Sequence, residues 1–380
     1  MIPQIKQELI RLNLAEGCDG EHILFEKYPT KGIRATGSEI ITFKAMLVKS
    51  NTEIKKMIVK FPRIFNNKNA QHTLENEYNN LLFAKNLMKS SVLQNSIPTL
   101  IHYGQINGAP TLVTEFVDGM NLSVLLFGKD VFNSFCRYIP IVLGWLESFK
   151  QLKSCNKQEH LSDHLTRLLE IHKSTFPDFS IDKDISLDYL VSKIASGSDL
   201  GLTPQHNDFH ADNLFLSNET RISVIDWEDF SENSIPAFDA MHFIATLADA
   251  LFVMLANSNR YSAIQQINSD KNWTSFFDKY FDDCIDMCAI PPKMRQFTII
   301  LYLLQSVIFA VDQRKEACEF ASKYNFLLST LPLSISDLND SLELFCLSKV
   351  LGHSTSDLAA AKDRAKELVS RIENRIRSFK

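Results

Sequence analysis

The sequence predicts an α+β fold in which a strand-rich N-terminal part precedes a mainly helical remainder. Over residues 22–61, glycines interrupt an alternation of apolar and polar residues that is typical of half-buried strands. From Leu122 onward, helical periodicity dominates. The length of 380 residues is ample for two lobes with separate hydrophobic cores. We expect the boundary near Gly119, which gives residues 1–118 and 119–380 as the two domains.

Local patterns place the elements of the N-terminal part. The alternating run 40–48 predicts a strand, and residues 56–61 predict a second strand that ends at a proline. Apolar residues at helical spacing predict a helix over 70–89. Asn107-Gly108 is a hairpin-turn signal, and residues 111–115 predict the strand that follows it. Together these elements predict an antiparallel sheet with one helix inserted.

The C-terminal part is predicted to be a helical lobe that carries a small hairpin sheet. Its most hydrophobic run, 297–311, is too short to span a bilayer and contains Gln305, so we expect a buried core helix. The aromatic and acidic stretch 273–286 fits an alkylammonium-binding surface or a core-facing stripe, and its spacing favours the core. Helices are expected near residues 130–153, 157–174, 186–197, 239–255, 273–288, 293–312, 316–329, 335–350 and 356–379.

Candidate chemistry is concentrated in residues 205–229. His206, Asp208 and Asn213 follow the pattern H-x-D-x-x-x-x-N, and a hairpin then delivers Asp226 at a strand end. Phosphoryl transfer uses an Asp that orients the attacking hydroxyl, and an Asn and a second Asp that hold Mg²⁺. The hairpin spacing to Asp226 makes this combination far more specific than the triplet alone.

These motifs resemble those of a known family. The run H-N-D-F-H-A-D-N at 206–213, followed by V-I-D-W-E at 224–228, is similar to the signature of the aminoglycoside phosphotransferase and choline kinase family of small-molecule kinases. Asp239 resembles the later Asp that anchors the catalytic loop in that family. The resemblance implies a bilobal, protein-kinase-like fold with a small antiparallel-sheet lobe and a large helical lobe.

The resemblance also assigns a nucleotide site to the N-terminal part. Lys60 matches the strand lysine that binds the α- and β-phosphates of ATP. Its partner carboxylate is expected on the helix over 70–89, where periodicity does not decide between Glu75 and Glu77. The family pattern, a Glu followed by a Leu about four residues later, favours Glu77.

A hinge and a phosphate loop complete the nucleotide site that the resemblance implies. The segment 111–119 is similar to the hinge of the family, which puts the Glu115 carbonyl and the Val117 amide at the purine. Alternatively, the segment is not a hinge but an ordinary strand that runs into a loop, with Gly119 ending the strand. Gly37 either belongs to the loop over the phosphates or is a simple turn glycine, since no G-x-G-x-x-G is present.

The reaction implied by the resemblance uses ATP, Mg²⁺ and the hydroxyl group of a small molecule. Asp208 is expected to act as the general base or to orient the hydroxyl, and His206 to support the loop. Asn213 and Asp226 are expected to hold Mg²⁺. The acceptor stays open among aminoglycosides, amino alcohols such as choline, sugars and hydroxy amino acids.

Some readings of the sequence stay open. A nucleotide-binding pseudokinase scaffold is the main rival, supported only by the weak glycine loop, and a protein kinase is disfavoured because D-F-G and A-P-E are missing. His210 and Asp212 are either site residues or ordinary loop residues. An acidic cluster either receives a cationic substrate or is a solvated loop. That cluster consists of Glu228, Asp229 and Glu232.

The net charge of the chain bears on whether nucleic acid or membranes are partners. A formal net charge of −5 and a pI of about 6.1 give no general attraction to nucleic acid or anionic membranes, so neither is expected as a partner. The N-terminus lacks the apolar core of a signal peptide, and the seven cysteines show no metal-binding spacing. We therefore expect a cytoplasmic protein. The sequence does not specify the number of subunits.

Overall fold

The computed structural model describes residues 2–11, 23–27, 40–49, 52–64, 66–152, 160–175, 201–255 and 270–290, with Tyr302 and Gln305. The predictions for Gly37 and for the helices over 186–197, 316–329, 335–350 and 356–379 lie outside these residues. The chain forms two compact units. The first consists of Met1–Leu152 and Ala211–Ser231, and the second of Lys153–His210 and Glu232–Lys380. Gly119 lies within the first unit.

A five-stranded antiparallel sheet, ordered β1-β2-β3-β5-β4, begins the first unit. Asn107 and Gly108 connect its last two strands with φ values of 52° and 78°, the left-handed conformation that a type I′ hairpin turn requires. The hairpin predicted at these residues is therefore confirmed. The strands are β1 (Ile23–Lys27), β2 (Ile40–Lys49), β3 (Thr52–Pro62), β4 (Leu100–Ile106) and β5 (Ala109–Glu115).

Two helices accompany this sheet, α1 (Ile2–Arg11) and α2 (Lys68–Met88). Ile5 and Leu9 of α1 join an apolar core with Val59 and Phe61 of β3. Successive side chains of a strand point to opposite faces, so Lys60 lies on the other face of β3. There it meets α2, which packs against β3, β4 and β5.

A hairpin continues the first unit, formed by β8 (Leu214–Ser217) and β9 (Arg221–Val224) and joined by β6 (Met120–Asn121). A Cβ on Gly119, whose φ is 137°, would lie 2.8 Å from the Leu216 carbonyl oxygen. Only glycine therefore fits where β6 meets β8. The helices α3 (Leu122–Leu126) and α4 (Val131–Lys150) follow β6.

The second unit is mainly helical. Its described elements are α5 (Leu161–Thr175), β7 (Thr203–Gln205), β10 (Ser231–Ser234), α6 (Phe238–Leu255) and α7 (Lys271–Met287), and β7 pairs with β10. The core-facing aromatic stripe of α7 is buried, as its helical spacing predicts. The stripe consists of Trp273, Phe277, Tyr280 and Phe281.

The observed elements agree with the predicted fold class. An antiparallel sheet with an inserted helix comes first, and helices dominate the second unit, as expected of an α+β protein. Helix α2 begins and ends within two residues of the predicted bounds. In the described ranges, no helix combines the length and the apolar character needed to cross a bilayer.

Candidate active site

A buried ion-pair cluster occupies the face of the first unit's sheet that carries Lys60. The Lys60 Nζ lies 2.7 Å and 2.8 Å from the two carboxylate oxygens of Glu77, and 2.7 Å from Oδ1 of Asp226. The side chains of Lys60 and Glu77 are 14% and 4% exposed. Glu75, by contrast, points to solvent. The structure thus selects Glu77 as the partner carboxylate.

The charge state of Lys60 follows from its neighbours. Burial by itself would lower the pKa of the Lys60 ammonium, but the Asp226 and Glu77 carboxylates outweigh it and raise that pKa above its ordinary value. Burial also raises the pKa of Glu77, against the opposing effect of Lys60. Lys60 is therefore a permanent cation at any physiological pH.

Glu228 adds a third carboxyl group to this cluster. One carboxylate oxygen from each of Glu77, Asp226 and Glu228 lies within 4.8 Å of the others. Burial, then the charges of Asp226 and Glu77, raise the pKa of Glu228 well above its ordinary value. Oxygen-rich donor sets of this kind are those that Mg²⁺ and Ca²⁺ prefer. The cluster fits a divalent cation, which would relieve the repulsion among its carboxylates.

The backbone at Asp226 is held in an uncommon conformation. Asp226 has φ 68° and ψ 61°, in the left-handed region that Asp tolerates better than most residues. The following indole of Trp227 is fully buried and donates through Nε1 to the Val224 carbonyl at 2.9 Å. Asn80 of α2 donates through Nδ2 to the carbonyls of Trp227 and Glu228, both at 2.9 Å. This segment is therefore fixed from the same helix that supplies Glu77.

Asn213 is positioned by the hairpin of the first unit. It ends a single 3₁₀ turn, Ala211–Asn213, and is 5% exposed. Its carbonyl accepts a hydrogen bond of 3.0 Å from the amide of Ile225, the residue before Asp226. The hairpin thus joins the end of the H-x-D-x-x-x-x-N motif to the segment that carries Asp226.

The segment expected to be the hinge follows β5. The Glu115 side chain is exposed, and its amide donates to the Thr99 carbonyl at 2.8 Å. The Phe116 amide donates to the Lys56 carbonyl at 3.3 Å, which ties the segment to β3. Among the described residues, none accepts a hydrogen bond from the Val117 amide.

The second unit carries Asp208 between two histidines. The Nε2 atoms of His210 and His242 lie 3.4 Å and 3.7 Å from the two carboxylate oxygens of Asp208. Burial would raise the pKa of Asp208, but the two imidazoles outweigh it and hold that pKa well below its usual range. Asp208 is consequently a carboxylate across the physiological range.

Asp239 anchors the loop that leads to Asp208. Its two carboxylate oxygens accept hydrogen bonds from the amides of His206 and Asn207 at 2.7 Å and 2.8 Å. Burial raises the pKa of Asp239 to about 7, although both amide bonds favour the anion. The ring of His206 is fully buried, and its Nδ1 accepts from the Asp208 amide at 3.3 Å. These contacts fix the backbone on both sides of Asn207, whose φ is 68°.

Two residues of this arrangement, Asn80 and His242, were not predicted from the sequence. Asn80 lies one helical turn after Glu77, and His242 lies one turn after Asp239. A search for polar residues one turn from each motif residue would have found both. Neither residue belongs to a sequence motif.

A family comparison agrees with the geometry. The model of the phosphotransferase enzyme family, APH, matches residues 44–260. The chain belongs to this family. The resemblance to aminoglycoside phosphotransferases and choline kinases, which we drew from residues 206–213 and 224–228, is thereby confirmed, and the protein is a member of a family of small-molecule phosphotransferases.

Solved structures give more distant similarities. A candidate aminoglycoside phosphotransferase from Ralstonia eutropha JMP134 has a TM-score of 0.49 and 13% identity, over 96% of this chain and 95% of that one. Choline kinase LicA from Streptococcus pneumoniae has a TM-score of 0.39 and 14% identity, over 97% and 98%. An aminoglycoside phosphotransferase from Streptomyces rimosus, in complex with ADP and streptomycin, has a TM-score of 0.40 and 11% identity, over 75% and 98%. No curated protein matches this sequence significantly.

Proposed function

We propose that this phosphotransferase moves the γ-phosphoryl group of ATP to a hydroxyl group of a small molecule, with Mg²⁺ as the cofactor. The observation that carries this proposal is the buried contact of Lys60 with both Glu77 and Asp226. A lysine held by a helix carboxylate beside a strand-end Asp is the arrangement used to bind nucleotide phosphates.

Lys60 and Glu77 form the phosphate clamp in this proposal. The Lys60 ammonium supplies a permanent positive charge, and the bidentate contact with Glu77 fixes its direction. A fixed cation in a buried site stabilises phosphate oxygens without reorganising during the reaction. The Glu115 carbonyl and the Val117 amide are proposed to bind the adenine base, and Gly37 to lie in the loop over the phosphates.

Asp226 and Asn213 are proposed to hold Mg²⁺, with Glu228 next to Asp226. Their oxygen donors suit this cation, and the crowding of carboxylates around Asp226 supports the assignment. When bound, Mg²⁺ neutralises charge on the phosphates. The left-handed conformation of Asp226, held from α2 by Asn80, keeps its carboxylate in one direction.

Asp208 is proposed to orient the acceptor hydroxyl and to take up its proton. A carboxylate can do this only while ionised, and the imidazoles of His210 and His242 keep Asp208 ionised. His206 supports the loop through the Asp208 amide. Positioning of this kind supplies much of the rate in phosphoryl transfer. The acceptor class includes aminoglycosides, amino alcohols such as choline, sugars and hydroxy amino acids.

Thermal denaturation with ATP and a non-hydrolysable analogue, with and without Mg²⁺, tests the nucleotide site. An ADP-release screen over aminoglycosides and small hydroxylated metabolites then tests transfer. We expect magnesium-dependent stabilisation and turnover on one acceptor class. Stabilisation without turnover on any acceptor would favour a nucleotide-binding scaffold. No response to nucleotide under any condition would refute the proposed function.

A further inference from the structure

Gln305 of the second unit is hydrogen-bonded to Asn207, in the loop before Asp208. The residue is 2% exposed, and both polar atoms of its side chain form hydrogen bonds. The Nε2 group donates to Oδ1 of Asn207 at 3.1 Å and to Oγ of Ser234, and Oε1 accepts from the Ile235 amide at 3.1 Å. A side-chain amide is therefore required here, since both a donor and an acceptor are used.

Asn207 is the residue through which Gln305 reaches the site. It directly precedes Asp208 and adopts the left-handed conformation with φ 68°. Asp239 holds its amide, and Ser234 donates to its Oδ1 at 3.0 Å, beside the bond from Gln305. Because the backbone angles of Asn207 set the direction of the next residue, its side-chain bonds bear on the placement of the Asp208 carboxylate.

Tyr302 contacts His242, one of the two histidines that face Asp208. It precedes Gln305 by three residues in the sequence. The Tyr302 hydroxyl is 3.3 Å from Nδ1 of His242, and Nε2 of His242 faces Asp208. Both residues lie beyond residue 260, where the match to the family model ends. This chain therefore adds contacts to its catalytic loop from outside the family-matched region.

We infer that Gln305 is a positioning residue, which holds Asn207 so that the carboxylate of Asp208 is aimed at the acceptor hydroxyl. The inference rests on the proposed function, because it assigns Asp208 the role given above. Gln305 does not touch the reacting groups. Its loss should therefore lower kcat while leaving the nucleotide site of the first unit intact.

The experiment compares Gln305→Met with the wild type. Methionine preserves the length and flexibility of the side chain but makes none of the three hydrogen bonds. We expect kcat to fall by about ten- to a hundredfold, the range for a small misplacement of a catalytic group, with the KM for ATP changed less than about twofold. Hydrogen exchange at the amides of His206 and Asn207 should become faster.

Tyr280→Phe is the matched control. It removes a buried hydroxyl from the same unit, whose hydrogen bond of 3.5 Å goes to the Ala240 carbonyl and not to the loop. This variant should keep wild-type kcat and loop exchange. If Gln305→Met is folded and has wild-type kcat and loop exchange, or if it raises exchange throughout the protein as a general loss of stability does, the inference is wrong.

A second variant keeps the inference testable if Gln305→Met does not fold. Gln305→Glu keeps the shape of the side chain and the acceptor for the Ile235 amide but removes the amide group that donates to Asn207 and Ser234, so a fall in kcat is again expected. An unchanged kcat would overturn the inference. Hydrogen exchange of the loop distinguishes failure of this inference from failure of the proposed function. If the wild type has no transferase activity, the proposed function is wrong. Faster loop exchange in Gln305→Met would still show that Gln305 holds Asn207.

Discussion

Asp239→Asn should change how the stability of the protein depends on pH. The Asp239 side chain is 1% exposed, and its carboxylate oxygens accept the amides of His206 and Asn207. Asparagine has nearly the same shape but does not titrate. Comparing the two proteins therefore isolates the proton that Asp239 binds and releases.

The magnitude follows from the pKa of Asp239, which burial raises from 3.8 to about 7. Below pH 3.8, both the folded and the unfolded protein hold the proton. Between pH 3.8 and about 7, only the folded protein holds it, so the free energy of unfolding falls as pH rises. A difference of about three pKa units corresponds to about 4 kcal/mol. Above pH 7, both states are ionised and no further loss is expected.

Urea denaturation at several pH values between about 4 and 8 measures this effect. The free energy of unfolding of the wild type, minus that of Asp239→Asn, should decrease by about 4 kcal/mol over this range. Asp163→Asn, at an exposed position of the same unit, is the control for the substitution itself. A constant difference for Asp239→Asn would show that burial does not govern this carboxyl group.

Further substitutions test the proposed roles. Asp208→Asn should lower kcat by about 10²- to 10⁴-fold, while the nucleotide affinity measured by calorimetry stays largely unchanged. An unaltered kcat would show that Asp208 takes no part in the mechanism. Asp226→Asn should weaken magnesium-dependent nucleotide binding, and superimposable magnesium titrations of mutant and wild type would contradict its role. Glu77→Gln leaves Lys60 with one fewer buried carboxylate and should cost about 3–5 kcal/mol in urea denaturation, along with a higher KM for ATP. Glu75→Gln, at an exposed position, should change neither quantity, and equal effects of the two would show that Glu77 has no special role.

The elements that the sequence predicted well are those encoded by neighbouring residues. The hairpin of β8 and β9 has a turn at Asn218 and Glu219, where φ is 50° and 61°, and turn residues signal this directly. Strand β3 and helix α2 follow from apolar periods of two and 3.6 residues. Their ends are set by local signals, such as the Asn67 side chain that caps the start of α2.

The contacts that the sequence left open depend on how distant elements face each other. Periodicity placed Glu75 and Glu77 equally well, because the choice depends on the rotation of α2 against β3. Asn80 and His242 reach the candidate site through tertiary packing and belong to no motif. Gln305 was expected only as a polar residue in a core helix. Its partners Asn207 and Ile235 lie 98 and 70 residues away along the chain, too far for a local pattern to indicate them.

Helix α2 has a consequence for the cooperativity of the proposed nucleotide site. Glu77, which holds Lys60, and Asn80, which holds the carbonyls of Trp227 and Glu228, lie one turn apart on the same helix. A rotation or sliding of α2 would therefore disturb the Lys60–Glu77 contact and the Asp226 segment together. The effects of substituting Glu77 and Asn80 should not add, because either change releases the same helix. In this respect the Lys60 and Asp226 parts of the proposed nucleotide site should be lost together and not one at a time.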